Sequence, residues 1–469
     1  MIFNSLEFMI FLPAVWIVFW ALNRNLRLQN LWLIAASYVF YGWWDWRFLA
    51  LIAFTSAWSY VVGLLELQRW DKRPSKLLLT LSLVVNLGIL GFFKYFNFFV
   101  DSFVSFSQVF LPEALAPHPS TLKIILPVGI SFYTFQALSY TIDVYRRNIR
   151  PTRDPFAFFA FISFFPQLVA GPIERATNLL PQFLQTKEFD YPKAVDGSRQ
   201  MLWGFFKKMV VADNLSAIVK LLLAGDMQSN GAAIALGMVL FSVLIYADFS
   251  AYSDIAIGCG RLFGINLRKN FAFPYFARDI AEFWRRWHMS LTTWFRDYLY
   301  IPLGGSRCSR WKQVRNTFVI FVVSGLWHGA NWTFVLWGAL HALLFLPLLL
   351  SGPNRRHRGE FGFAPLTLLA VCLGWLLFYA PSISMFGQWF MAMIVPSTWG
   401  SLGKLPHEFG IGLGAAVAMF VFEWFNRNNE YGFAWNPRHV SLRWVIYLLF
   451  VAAIVFGAPP SQDFVYFQF

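Results

Sequence analysis

Charge is what this sequence has least of. Of its 469 residues only 13% are Asp, Glu, Lys or Arg, about half the ~25% of a soluble globular chain. That excludes an ordinary soluble domain with a charged, solvated surface. Cysteine is scarcer still: Cys259, Cys308 and Cys372 are the only three. They stand far apart, so they form no metal-ligand spacing, and three thiols cannot build a disulfide framework. All three read as packing residues, and no metal is expected. The chain also has no internal repeat, no low-complexity tract and no polar stretch of domain size. The first apolar run lacks a basic segment before it, and Arg24 and Arg27 follow it instead. It reads as a first membrane helix and not as a cleavable signal.

Apolar residues dominate, with 58% hydrophobic and 20% aromatic. A bilayer span needs roughly 20 mostly apolar residues. Runs of that kind recur near 8–22, 48–66, 77–93, 122–142, 231–247, 314–326, 333–350, 364–380, 409–425 and 443–458. The fold class expected is therefore all-α: a polytopic membrane protein with about ten to thirteen membrane segments, some entering without crossing. A single domain over 1–469 is expected, with its chemistry concentrated in 160–345.

The net charge of +14 does not point to nucleic acid, because the basic residues sit in loops between apolar spans. Such residues concentrate in cytoplasmic loops. Arg24 and Arg27, then Arg69, Lys72, Arg73 and Lys76, then Arg146, Arg147, Arg150 and Arg153 follow alternate spans, whereas 45–47 and 101–121 hold only Arg47. The N-terminus is thus expected outside. Anionic membrane lipid is the partner this charge suits. Towards the C-terminus, 385–395 is too short to span. If it does not cross, Arg427, Arg438 and Arg443 lie inside and the tail APPSQDFVYFQF lies outside. If it does cross, that order inverts.

Four stretches could carry chemistry. SGLWHGANW, 324–332, places His328 among glycines and tryptophans in an apolar run. It is either a satisfied core histidine or a general base, which needs only reach of a hydroxyl. Gly325 and Gly329 allow close approach of backbone or ligand, and Asn331 could fix the ring tautomer. His341 would lie about 20 Å away on a continuous helix and reads as structural. FWRRWHMSLTTWFRDYLYIPLGG, 283–305, read as one helix, collects aromatics on one face and Arg285, Thr292 and Arg296 on the other, with His288 at the border. It is either an interfacial helix or a funnel wall whose arginines attract a phosphorylated donor. In FFPQLVAGPIER, 164–175, Pro166, Gly171 and Pro172 break the helix beside Gln167 and Glu174. The break is a plain kink or the lining of a cavity. YADFSAYSDIAIG, 246–258, packs Asp248, Ser250, Tyr252, Ser253 and Asp254 into a span, as a hydrogen-bond network between helices or as part of a polar cavity. Ionisable residues at depth usually face a cavity or one another, so a central funnel is expected.

These four stretches, with NFAFPYFARDIAEF, MIFNSLEFMIFLP and YVFYGWW, resemble the membrane-bound O-acyltransferase family in order and spacing. The likeness is to its bacterial branch that acylates cell-envelope polymers, and it covers essentially the whole chain. The resemblance implies a ring of tilted helices around a thin centre, with a cytoplasmic funnel meeting an outer opening. The family's invariant histidine corresponds to His328, and the histidine of its WHxSL helix to His288, a helper. It also implies an acetyl thioester donor, acetyl-CoA, as substrate with no bound cofactor. Arg285, Arg286 and Arg296 would meet the donor phosphates. Trp327, Trp332, Pro166, Gln167 and Glu174 would wall the tunnel. Asn331, Trp332 or His288 would supply donors to the oxyanion.

The acceptor would be a glycan hydroxyl or a periplasmic SGNH-hydrolase-like partner working with polysaccharide synthesis and export machinery. The protein would sit in the bacterial inner membrane with both termini periplasmic. FVYFQF resembles a tail that such systems place at the outer mouth, making Tyr466 an acyl relay or an interfacial anchor. A D-alanyl or longer-chain acyltransferase, and a polysaccharide or lipid transporter, are the alternatives. The transporter reading lacks the inverted repeats common in that class.

Overall fold

The computed structural model describes residues 1–110, 124–224, 227–351, 364–434, 439–462 and 464–465. Within them every regular element is helical. Among the described residues six helical stretches are long and apolar enough to cross a membrane: Leu26–Leu67, Lys76–Gln108, Gly231–Leu262, Trp332–Leu350, His407–Phe425 and Val440–Gly457. Leu6–Ala21, Ala364–Tyr379 and Ile383–Ile394 are apolar but shorter. This is the all-α, multi-pass membrane architecture expected. The six are fewer than the ten to thirteen apolar segments because the chain bends and shortens its helices. Leu26–Leu67 is interrupted by a 3₁₀ turn at Trp46–Phe48, and its two legs pack on each other.

The Gly231–Leu262 helix organises the interior. Its 32 residues reach about 48 Å at the helical rise of 1.5 Å per residue. Asn230 caps it by accepting from the Ala232 and Ala233 amides. Apolar residues occur all round it, the pattern of a helix buried on every side. Tyr191–Phe205, Asp213–Leu223, Ala364–Tyr379 and Ile383–Ile394 pack against it. Close approach depends on small residues. A Cβ on Gly197 would sit 2.6 Å from the Gly258 carbonyl, and one on Gly204 2.9 Å from the Ala251 carbonyl.

The molecule has two distinct ends. Asn4 donates to Ser461 Oγ at 2.9 Å, so the N-terminus and the tail share one face. The opposite face collects the basic loops. Arg147 donates to the carbonyls of Arg69 and Lys72 at 3.3 and 2.9 Å. Arg146 donates to the Asp297 carbonyl at 3.1 Å, and Arg261 pairs with Asp196 and Glu430. Ile383–Ile394 has 12 residues, about 18 Å of helix, short of the ~30 Å hydrocarbon core. Both its ends lie towards the termini face. Pro381 accepts from Asn331 at 3.0 Å, and Ala392 meets the N-terminal end of the Gly231–Leu262 helix.

Candidate active site

His328 is the last residue of the Arg310–His328 helix. The chain then reverses through 329–331 into Trp332–Leu350, and the two helices pack together. Glycine permits this contact. A Cβ on Gly325 would lie 2.0 Å from the Phe334 carbonyl, one on Gly329 2.1 Å from the Phe334 ring, and one on Gly338 2.2 Å from the Phe321 carbonyl. The glycines of SGLWHGANW therefore make room for the neighbouring helix, not for a ligand. The reversal also removes the distance argument about His341. It comes back beside the site, with Trp337 between the two histidines: ring centroids are 5.3 Å from His328 to Trp337 and 4.8 Å from Trp337 to His341. Trp284 donates to His341 Nδ1 at 3.3 Å.

His288 does not ride on a continuous helix. The stretch breaks into Ile280–Arg286 and Met289–Phe295, with His288 at φ +42°. Such a conformation is uncommon away from glycine and marks a site held by its surroundings. The holding segment is 270–273. The Ala272 amide donates to the Arg286 carbonyl at 2.9 Å, and the Met289 amide to the Asn270 carbonyl at 2.8 Å. Asn270 Oδ1 accepts from the Ser290 amide at 3.3 Å and from Ser290 Oγ at 2.8 Å. Its Nδ2 donates to Ser253 Oγ at 3.0 Å.

That network fixes the tautomer of His288. Nδ1 lies 3.1 Å from Asn270 Oδ1. A carbonyl oxygen can only accept, so Nδ1 carries the proton and Nε2 bears the lone pair. Nε2 is buried and has no hydrogen-bond partner among the described residues. A neutral His288 therefore offers an oxyanion no N–H through that nitrogen; it offers a proton acceptor. The rings of His288 and His328 are 6.3 Å apart, and Trp327 packs against both, at 5.8 and 5.0 Å. Trp327 Nε1 is also buried without a partner.

A cavity of about 340 Å³ opens beside His328, lined by Ile2, Trp44, Lys94, 126–132, Val169, Ala170 and Trp327. Ile2 places it at the termini face. Much of its wall thus comes from residues upstream of 160–345. The helix break at 164–171 contributes Val169 and Ala170. Pro166 and Gln167 are buried behind them, with Gln167 Nε2 donating to the Phe161 carbonyl at 3.1 Å. Glu174 stands away from the cavity, buried and accepting from Asn178 at 2.7 Å and from the Arg268 amide. Asn331 caps Trp332–Leu350 by accepting from the Thr333 amide at 3.1 Å. Trp332 is 52% exposed and donates to Ser102 at 3.2 Å. Neither belongs to the cavity wall.

A second cavity, of about 240 Å³, lies towards the basic face. Arg285, Thr292 and Arg296 line it together with Trp284, Ile320, Phe321 and Phe345. The face-sharing expected of these three polar residues survives the break in the helix. Arg286 points elsewhere and donates to Glu282 at 2.6 Å. Burial alone would raise the Glu282 carboxyl, but hydrogen bonds from Arg278 and the charge of Arg286 hold it down at about 2. Trp284 and Trp337, with ring centroids 5.6 Å apart, stand between this cavity and His328.

The tail also reaches the interior. The Val465 amide donates to Asp248 Oδ2 at 2.7 Å, inside a cluster where Lys208 pairs with Asp213 and Asp248, each at 2.9 Å. Phe464 packs on Phe249, whose ring meets His288 edge-on at 4.7 Å. Tyr466 lies outside the described residues. Lys94, Asn270 and Ser290 belong to the site without having stood out in the motifs. For Lys94 a signal exists, a lone lysine in the apolar run LGFFKYFNFF. Asn270 and Ser290 fall inside the stretches NFAFPYFARDIAEF and WHMSL, but their roles were not legible there, since these depend on the strand-like pairing of 270–273 with 286–290.

Two buried imidazoles thus stand 6.3 Å apart in a polytopic helical protein, one of them, His328, on a cavity wall. Residues 147–387 match the membrane-bound O-acyltransferase family, and the chain belongs to that family and is an O-acyltransferase. It is 37% identical to the probable alginate O-acetylase of Pseudomonas putida over 498 residues, covering all of both chains. It is 39% identical to the probable alginate O-acetylase of Pseudomonas aeruginosa, over 85% of this chain and 76% of the relative. A peptidoglycan O-acetyltransferase of Helicobacter pylori is 36% identical over 73% of this chain and 69% of its own.

Proposed function

We propose that this protein takes an acetyl group from a thioester donor, acetyl-CoA, at the basic face and passes it to a hydroxyl at the termini face, for O-acetylation of an exported polysaccharide. The observation that carries the reading is His328 on the wall of a cavity at the termini face, with the ring of His288 6.3 Å behind it and the Nε2 lone pair of His288 unpartnered among the described residues. His328 acts as general base. It removes the proton from the acceptor hydroxyl as that oxygen attacks the thioester carbonyl. The tetrahedral intermediate collapses as the C–S bond breaks, and the imidazolium returns the proton to the leaving thiolate. His288 Nε2 accepts a hydrogen bond during this exchange, and Trp327 Nε1–H, buried without a partner in a residue of the cavity wall, is the donor for the oxyanion. Names of relatives that act on alginate and on peptidoglycan favour a glycan acceptor over a lipid one.

On this reading the basic face is cytoplasmic, the termini are periplasmic and the membrane is the bacterial inner membrane. Arg285 and Arg296 meet the donor phosphates. Asp248 and Lys208 anchor the tail through Val465 and Gln462, and Tyr466, in that tail, relays the acyl group to a periplasmic SGNH-hydrolase-like partner and the polysaccharide machinery. In proteoliposomes given radiolabelled acetyl-CoA, the wild type transfers label to a glycan acceptor and R285A/R296A raises the donor KM. No transfer from any thioester would end the proposal. Full transfer by a chain ending at residue 463 would end the role of the tail.

A further inference from the structure

We propose that Lys94 is a positioning residue for His328, an assignment that rests on the catalytic role given to that histidine. Lys94 lies in a π-helical turn, Gly91–Tyr95, within a helical stretch long and apolar enough to cross a membrane. An ammonium group at such depth is costly unless its donors are satisfied. All three find acceptors. Nζ donates to the Trp327 carbonyl at 2.5 Å, to the His328 carbonyl at 3.2 Å and to Ser131 Oγ at 3.3 Å. The next residue adds a fourth bond, from Tyr95 Oη to the Leu326 carbonyl at 2.7 Å.

These are the last three carbonyls of the Arg310–His328 helix. A helix leaves its final carbonyls without intrahelical partners, and its C-terminus carries partial negative charge. Glycine or water usually completes such an end. Here the sequence runs on through Gly329 in extended backbone, so a cation from another helix does so. The π turn makes this possible. Its extra residue per turn turns Lys94 and Tyr95 together towards one helix end, and such turns recur at functional sites.

Lys94 also lines the cavity beside His328. Its bonds go to the backbone of His328 and of Trp327, the two residues whose rings meet the reacting atoms in the mechanism above. Lys94 thereby sets where the imidazole stands, and displacement of a reacting group by about 1 Å can cost on the order of a hundredfold in rate.

The test compares K94M, K94Q, K94R and H328A as full-length protein in proteoliposomes, with thermal unfolding in detergent to report folding. K94M should lower kcat about tenfold to a hundredfold while leaving the donor KM within about twofold. K94Q, which keeps donors without charge, should recover part of that loss, as should K94R. Wild-type kcat in folded K94M overturns the assignment. So does a raised KM with unchanged kcat, which would make Lys94 a substrate-binding group. So does a loss shared equally by all three Lys94 variants and matched by their loss of folded protein. Full activity in H328A would instead overturn the catalytic reading beneath it, whatever the Lys94 variants show.

Discussion

His288 sits at φ +42° because Asn270 grips its ring, its neighbour Ser290 and the backbone amide between them. Removing that grip frees the tautomer and the conformation together. N270A should therefore lower kcat by about tenfold or more while the protein still inserts, and H288A should fall by about a hundredfold, within the range for a lost acid–base group. N270D tests the tautomer itself: a carboxylate still accepts from Nδ1, so N270D should retain more activity than N270A in a steady-state transfer assay. His328 was legible in SGLWHGANW as one of two readings. The tautomer of His288 was not, because Asn270 is 18 residues upstream and only the fold brings it into contact. Asn331 misled for a related reason: beside the histidine in sequence, it is spent on capping the next helix.

At the scale of elements, the interior is built on tight glycine contacts. G325A should destabilise the protein by about 1–3 kcal/mol, the usual cost of overpacking, because the new methyl meets backbone and not a flexible side chain. G88A, where nothing lies within 4 Å, should leave thermal unfolding in detergent unchanged. Similar melting of the two variants would refute the packing account. Helix periodicity revealed which segments are helical, but not their breaks. The stretch 283–305 reads as one amphipathic helix and is two, and the π turns at Gly91–Tyr95, Phe206–Ala212 and Arg296–Tyr300 leave no mark on hydropathy. Each of those turns carries a lysine or arginine. That is why Lys94 and Lys208 can reach interior partners that an unbroken helix would turn away.

At the scale of the molecule, the charge asymmetry was readable from sequence. Basic loops are found on one face and the termini on the other, as alternate spacing of Arg and Lys implied. If the basic face is cytoplasmic, a membrane-impermeant maleimide applied to intact cells should label S461C and leave R24C unlabelled until the membrane is opened. Native thiols do not confuse that result, since Cys259 and Cys372 are buried and Cys308 lies near the basic face. The cluster under the tail makes a separate prediction. K208M removes the cation between two buried carboxylates, and breaking such a cluster costs about 3–5 kcal/mol, measurable as a lower melting temperature. A cavity was expected from the sequence, but not its wall, which joins residue 2 to residues 44, 94, 126–132, 169–170 and 327–328; no local pattern links them.

The central claim is that His328 activates the acceptor hydroxyl. The most direct measurement is acetyl transfer from a labelled thioester by purified wild type and H328A in proteoliposomes, at equal insertion and with matched unfolding temperatures. The account predicts a fall of about a hundredfold to ten-thousandfold in kcat for H328A with little change in donor KM. Transfer by folded H328A within a few-fold of wild type would contradict it.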